Sequence, residues 1–418
     1  MPPTPLPLPL RTNMLWNSIG STIRLVCSFL ITIAVVRLST GFDAAGSLAL
    51  SMSIANLVNP FADFRLRTIH VTDVRGERRT EDYIGLRVFT SLLAFSIGLV
   101  YSFLTSSATA LSLIALYLVF SLITNFIEVF HAIDQRHMRM DYSGKSYILQ
   151  GLSTLLAFSL VLRMTNSLHW AVVAMGAAAA LVLVLYDIPR TRRLEPLAVA
   201  LNGPAIVSLS KLVPLVIAQV AASAVLTIPK QYLEGQLGPE ALGIYSSVAS
   251  PALIVQMGAT YVYSPLMGEF AEKLMTRKKA ALALLFKTSF AILAVTALCS
   301  LALLVIGHPL LVLLFGEGIA EYTYLMQPAL LCTAITAFAW FMNDLLLAAR
   351  DFWASFLGNV IASLVTILGS RTFITAFGMN GVSWIGVAAY ASSVLFLALF
   401  FTRDYRRLPV RTTPESED

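Results

Sequence analysis

Charge is scarce in this chain. Asp, Glu, Lys and Arg make up 12% of its 418 residues, about half the roughly 25% of a soluble globular protein. Cysteine (3 residues) and histidine (5) are also few. Cys27, Cys299 and Cys332 lie far apart inside apolar stretches, so a disulfide framework and a zinc-type spacing are both excluded. His70, His131, His137, His169 and His308 are scattered near the ends of apolar runs, which places them at the membrane interface. There is no Walker-type phosphate loop, no G-x-S-x-G elbow and no cluster of His or Cys. The chain therefore offers no site for covalent chemistry, and neither enzyme activity nor a cofactor is expected. The net charge of +6 does not imply nucleic acid, because the basic residues sit in short segments between apolar runs.

What is abundant is apolar surface: 57% of the residues are hydrophobic. Runs long enough to cross a bilayer, about 20 residues each, repeat along the chain, and they lack the alternation of a β-barrel strand. The expected class is all-α and polytopic, with twelve spans at 13–38, 44–64, 84–105, 108–131, 146–163, 168–186, 207–229, 241–263, 282–307, 325–348, 354–374 and 380–402. Residues 1–12 are expected as a disordered N-terminal segment and 403–418 as a disordered tail. Between them lie an N-lobe (13–190), a linker (191–206) and a C-lobe (207–402). The first span is too long for a signal-peptide core and is expected to be retained. Basic residues fall almost entirely on the side holding the N-terminus. Only Arg163, Lys230 and Arg371 lie on the opposite side, and Arg24, Arg37, Arg87 and Lys287 lie within spans. This asymmetry predicts cytoplasmic N- and C-termini. The inner loops Arg65–Asp82 and His131–Lys145 are expected to form amphipathic turns against membrane lipids.

Two short turns repeat. Gly41-Phe42-Asp43-Ala44-Ala45-Gly46 follows span one, and Gly238-Pro239-Glu240-Ala241-Leu242-Gly243 follows span seven. Both read G-x-[D/E]-A-x-G: glycine for a tight turn, an acid at the next helix N-terminus, and a second glycine for close helix approach. A weaker echo joins Arg139-Met140-Asp141-Tyr142 to Arg350-Asp351-Phe352-Trp353. The repeat predicts two parallel six-span lobes around a central site, an architecture of transporters that work by alternating access.

Arg24 lies near the middle of the first span, about 17 Å along the helix from Asn13. A charge at that depth costs at least ~2.5–3.5 kcal/mol and so faces a bundle interior or a wet cavity. Asn13, Asn17, Ser21, Arg24, Ser28 and Thr32 recur at spacings of three and four, which is one helix face. Other spans carry similar stripes, each also compatible with ordinary interhelical hydrogen bonding. Span two has Ser51, Asn56, Asn59 and Asp63; span four has Ser121, Asn125, Glu128 and His131. Span seven has Gln219, Ser223 and Thr227; span eight has Tyr245, Gln256 and Tyr261. Span ten has Thr336, Trp340 and Asp344. The expected substrate-binding set is Arg24, Asn17, Ser21, Ser28, Asn56, Asn59, Gln219, Gln256 and Trp340. Asp63, Arg87, Glu128, Lys287 and Asp344 lie closer to the inner ends and are expected as an inner gate or coupling group. A central cation with an amide- and hydroxyl-rich lining suits a ligand that is anionic at one point and hydroxylated elsewhere, such as a lipid-linked sugar.

Several local patterns resemble the polysaccharide transporter family, the O-antigen flippase-type proteins of the multidrug/oligosaccharidyl-lipid/polysaccharide exporter superfamily. They are Asn17-Ser18-Ile19-Gly20, Arg37 followed by Gly41 and Gly46, and Phe61-Ala62-Asp63-Phe64. To these are added Tyr83-Ile84-Gly85-Leu86-Arg87, then Gln135, Met140, Asp141 and Lys145-Ser146. The resemblance implies a V-shaped, two-lobed fold with a cationic central cavity that admits an undecaprenyl-pyrophosphate glycan, with Arg24 as the headgroup contact. The implied setting is the cytoplasmic membrane, with a polysaccharide polymerase and glycosyltransferases as partners. Span seven departs from the pattern, because the repeat offset from Arg24 lands on Ala221. A cation-coupled multidrug antiporter of the same superfamily is the alternative. It would need mid-membrane carboxylates, where this chain places a cation.

Overall fold

The computed structural model describes residues 6–73 and 78–407, and among them there is no β-strand. Nine stretches in it are long and apolar enough to cross a membrane. Two of these contain a break. The chain is an all-helical polytopic membrane protein with about twelve spans, and the predicted spans map onto it in order. Arg75 and the acidic tail fall outside the described residues, as does the side chain of Tyr261.

Two compact units divide the chain at Val220 and Ala221. The first contains α1 (Leu10–Leu38), α2 (Asp43–Asp63), the short α3 (Leu66–Thr72), α4 (Thr80–Thr105), α5 (Ala108–Arg136), α6 (Met140–Thr165) and α7 (Leu168–Val182). A π-helical turn at Leu183–Asp187 joins α7 to α8 (Ile188–Thr191), and α9 (Gly203–Leu209) follows the linker. The strongest pairing in this unit is between α1 and α6, and glycine makes it close. A Cβ built on Gly20 would lie 2.3 Å from the Gly144 carbonyl oxygen, and one on Gly144 would lie 2.4 Å from that of Trp16. Small residues let backbones meet where apolar side chains gain nothing over lipid.

Within the 1–12 segment, the chain makes hydrogen bonds from Leu8 onward. The Leu8 N–H donates to the Met138 carbonyl at 3.0 Å. Buried Asn13 donates to the carbonyls of Leu8 and Met138 and accepts from the Met140 N–H at 2.7 Å. Asn13 therefore fastens the start of α1 to the α5–α6 turn. The 191–206 linker is also held. Leu194 packs against Tyr83, Phe130 and Tyr142, the Ala200 N–H donates to the Glu81 carbonyl, and Asn202 donates to Asp82 at 2.6 Å.

The second unit is built from α10 (Val213–Ala249), whose N-terminal turns belong to the first unit, and α11 (Ala252–Tyr263). It continues with α12 (Met267–Thr276), α13 (Lys278–Phe315), α14 (Met326–Ala348), α15 (Phe352–Phe377) and α16 (Gly381–Arg407). Its core centres on Tyr263, Phe270, Phe341 and Leu345. Helix α10 breaks at Gly238, whose φ is +86°, and Gly41 in the first unit has φ +83°. The repeated turn thus has the same left-handed glycine in both units, a conformation that costs glycine little. The second echo also has a structural counterpart, one residue out of step. Met138 (φ 54°) and Arg350 (φ 64°) occupy the same left-handed position before α6 and α15.

Replacing Gly20 or Gly144 with Val is expected to overpack the α1–α6 contact at a cost of about 1–3 kcal/mol. Thermal unfolding of the purified protein should register a lowered Tm. Gly235→Ala is the control, because an added Cβ there meets nothing within 4 Å.

Candidate functional site

The polar face of α1 is in part open. Ser21 and Ser28 are exposed, and Asn17 and Arg24 are half-buried. A separate exposed face of the same helix carries Leu15, Ile19 and Val26. Arg24 is neither sealed between packed helices nor left alone. Its guanidinium lies 4.4 Å from the centre of the Tyr147 ring, and its Nη1 lies 3.6 Å from Glu128 Oε1, with 39% of the side chain exposed.

Glu128 is the hub of this site. Its Oε2 pairs with Arg67, and both of its oxygens accept from the Tyr147 hydroxyl at 3.0 and 3.1 Å. Arg67 also donates to the Tyr147 hydroxyl at 2.7 Å and to Gln135 at 3.2 Å. His131 is fully buried, with Nδ1 3.7 Å from Glu128 and Nε2 3.7 Å from Asp187. Asp187 comes from the π-helical turn. Asp134, also buried, accepts from the Ser143 hydroxyl through one oxygen, and its other oxygen has no partner.

This arrangement revises two expectations. Arg24 and Glu128 were expected at separate depths, centre and inner gate, yet they touch. Helical side chains lean toward the helix N-terminus, so the long Arg24 side chain reaches back along α1 to the level of Glu128. His131 and His70 were expected at the interface and are buried instead. His70 stacks on Tyr83 with ring centres 4.1 Å apart, and burial pushes its pKa down to about 4. Sequence reasoning passed over three members of the site. Arg67 is on a seven-residue helix inside a basic loop, Tyr147 is an aromatic near a span end, and Asp187 is in a turn that breaks the α-period.

The remaining candidates divide into separate places. Arg87 is fully buried. It donates to the Ala62 carbonyl at 2.8 Å and to Asn125 at 3.2 Å, and its Nη2 lies 3.5 Å from Asp63. It closes the C-terminal end of α2, where Phe64 and Arg65 turn left-handed. That is a helix-capping role inside the first unit. Asn59 accepts from Ser121 at 3.0 Å, and Asn56 is exposed beside it on α2. The Gln219 side-chain oxygen, turned toward Arg65, accepts from its guanidinium at 2.6 and 2.9 Å. In the second unit Gln256 is buried with its amide nitrogen unpartnered. Trp340 is half-exposed against Tyr390, Asp344 accepts from Tyr263, and Lys287 is exposed. None of these four belongs to the Glu128 network. Among the described residues, every buried acidic or basic side chain lies in the first unit.

No family model matches the sequence. It is 21% identical over 314 residues to the capsular polysaccharide biosynthesis protein CapF of Staphylococcus aureus, covering 74% of this chain and 78% of that protein. The structure superposes on the lipid II flippase MurJ in an inward closed conformation with a TM-score of 0.71 at 11% identity, over 94% of this chain and 90% of that one. It superposes on an inward-facing multidrug resistance MATE transporter with a TM-score of 0.66 at 14% identity, over 95% and 98% of the two chains. The fold is therefore one shared with these two transporters.

Arg87→Leu removes the hydrogen bonds to the Ala62 carbonyl and Asn125 at the end of α2, and is expected to destabilise the protein by about 1–3 kcal/mol. Thermal unfolding would measure this directly. A second prediction concerns the linker. The His137 hydrogen bond, at 2.6 Å, holds Glu195 down at about 2, opposed by its partial burial and helped by Thr80. A depressed carboxyl stabilises fully above its ordinary value of 4.5 and loses that contribution as pH falls toward 2. Pepsin cleavage of the wild-type linker should rise through that window. Glu195→Gln should already open Arg192 and Arg193 to trypsin at neutral pH.

Proposed function

We propose that the protein is a flippase. It moves an undecaprenyl-pyrophosphate glycan across the cytoplasmic membrane by alternating access, for surface polysaccharide assembly. The observation that carries this reading is the pair of guanidiniums, Arg24 and Arg67, gathered at one carboxylate beside an aromatic ring and open to ligand on the Arg24 side. Guanidinium forks match the oxygens of a diphosphate, and they remain charged at any physiological pH. The exposed Ser21, Ser28 and Asn56 and the half-buried Asn17 supply hydroxyl and amide partners for sugar hydroxyls. The exposed apolar face of α1 suits the prenyl chain and surrounding lipid.

The fold shared with a lipid II flippase and the likeness to a capsular polysaccharide protein support this reading. In this scheme glycosyltransferases supply the substrate and a polymerase consumes it, and both termini lie in the cytoplasm. A multidrug antiporter would bind its cationic cargo at an uncompensated carboxylate. Glu128 is instead saturated by cations and a hydroxyl, which argues against that role.

Arg24→Ala is expected to abolish export of surface glycan in cells that make the protein at normal levels, while Arg24→Lys keeps a part of it. Normal export by the alanine variant would remove the headgroup assignment.

A further inference from the structure

The two guanidiniums offered to a diphosphate are already occupied. Arg67 is bound to Glu128, and Arg24 lies 3.6 Å from the same carboxylate. An incoming dianion that takes both must displace Glu128 from both. The carboxylate then keeps the Tyr147 hydroxyl and His131, in a site where only 17% of its side chain is exposed. A buried carboxylate stripped of its counter-ions is strongly disfavoured, and a group so placed gains a proton or a new cation.

The neighbouring groups are arranged to accept that proton. His131 stands between Glu128 and Asp187 at 3.7 Å on either side, and neither ring nitrogen makes a hydrogen bond. One oxygen of Asp187 and one of Asp134 are likewise buried without partners. The charged and titratable groups around Glu128 are therefore Arg24 on α1, Arg67 on α3, Tyr147 on α6, Asp187 on the π-helical turn, and His131 and Asp134 on its own helix. Arg87 is the next cation, and it is committed to Asp63 and Asn125. With no ligand, three acids face two arginines and one imidazole. Once a diphosphate holds both arginines, three acids face the imidazole alone.

Resting on the headgroup reading above, we infer that Glu128 is a built-in counter-anion whose displacement makes diphosphate binding take up one proton in the Glu128–His131–Asp187–Asp134 cluster. Ligand and proton bind together: each raises the affinity for the other. Affinity for the diphosphate falls as pH rises, by about tenfold per pH unit across the range in which the cluster takes its proton. The step breaks the Glu128–guanidinium pairs, forms phosphate–guanidinium pairs, and draws the proton from solvent. Glu128 thereby ties substrate capture to the pH of the side on which capture happens.

The test uses the full chain in nanodiscs of neutral phosphatidylcholine, with farnesyl diphosphate as probe. Titration calorimetry at about pH 6 and about pH 8, which bracket imidazole titration, in two buffers of different ionisation heat counts the protons taken up. The expected result for the wild type is uptake of about one proton and weaker binding at the higher pH. Glu128→Gln, which frees the arginines and keeps a partner for Tyr147, should bind at least about tenfold more tightly at the higher pH and take up none. Wild-type binding without proton uptake overturns the coupling and leaves the headgroup reading standing. That count needs no variant, so it holds even if Glu128→Gln fails to fold. No binding of the probe at either pH overturns the headgroup reading, and the coupling falls with it.

Discussion

One carboxylate organises the first unit. Glu128 gathers a cation from α1, another from α3, a phenol from α6 and an imidazole from its own helix. Three other segments join its own helix at two oxygen atoms. In a low-dielectric interior such convergence is stable only if every partner is present, because each one removed leaves an opposite charge uncompensated. The same condition makes the site responsive. A ligand that withdraws two partners changes the electrostatic balance of all the rest.

The close α1–α6 contact is what lets the network form. Gly20 and Gly144 bring the two backbones together one turn below Arg24, and Gly151 lies against the Arg24 backbone itself. With the helices that near, a guanidinium on α1 can lie over a ring on α6. Asn13 then fixes the lower end of the pair to the α5–α6 turn. Helix packing and ligand chemistry are therefore two aspects of one geometry, in which glycine sets the distance and Arg24 and Tyr147 use it.

Much of the fold could be read from the sequence because a bilayer imposes a coarse, repetitive signal. Long apolar runs separated by basic loops gave the spans, and the G-x-[D/E]-A-x-G turns proved alike down to the left-handed glycine. Arg24 stood out because a charge inside a span is costly. The site around it was harder to read. Arg67 looked like one more loop arginine, since seven residues of helix carry almost no periodic signal. Glu128 was assigned to a different depth because the count of residues along a helix ignores how far an arginine side chain reaches. His131 shared a stripe with Glu128, yet its position near a span end pointed to the interface and said nothing about the acids that surround it. Asp187 was missed because the turn that carries it departs from the 3.6-residue repeat on which helical faces are judged. Among the described residues the second unit holds no matching cluster, in keeping with Ala221 standing where the repeat would put a cation.

That π-helical turn has a consequence of its own. A segment of this kind accommodates one extra residue without ending the helix, and each residue advances an α-helix by about 100°. Everything beyond Leu183–Asp187 is therefore rotated in phase relative to an uninterrupted α7. The shift aims Asp187 at His131 while placing Arg190 over the rings of Tyr142 and Tyr186. A chain that lost one residue here would gain a more regular helix and lose the alignment of its acid. The irregularity is thus the feature that sets the angular register between the end of this helix and the interior of the unit.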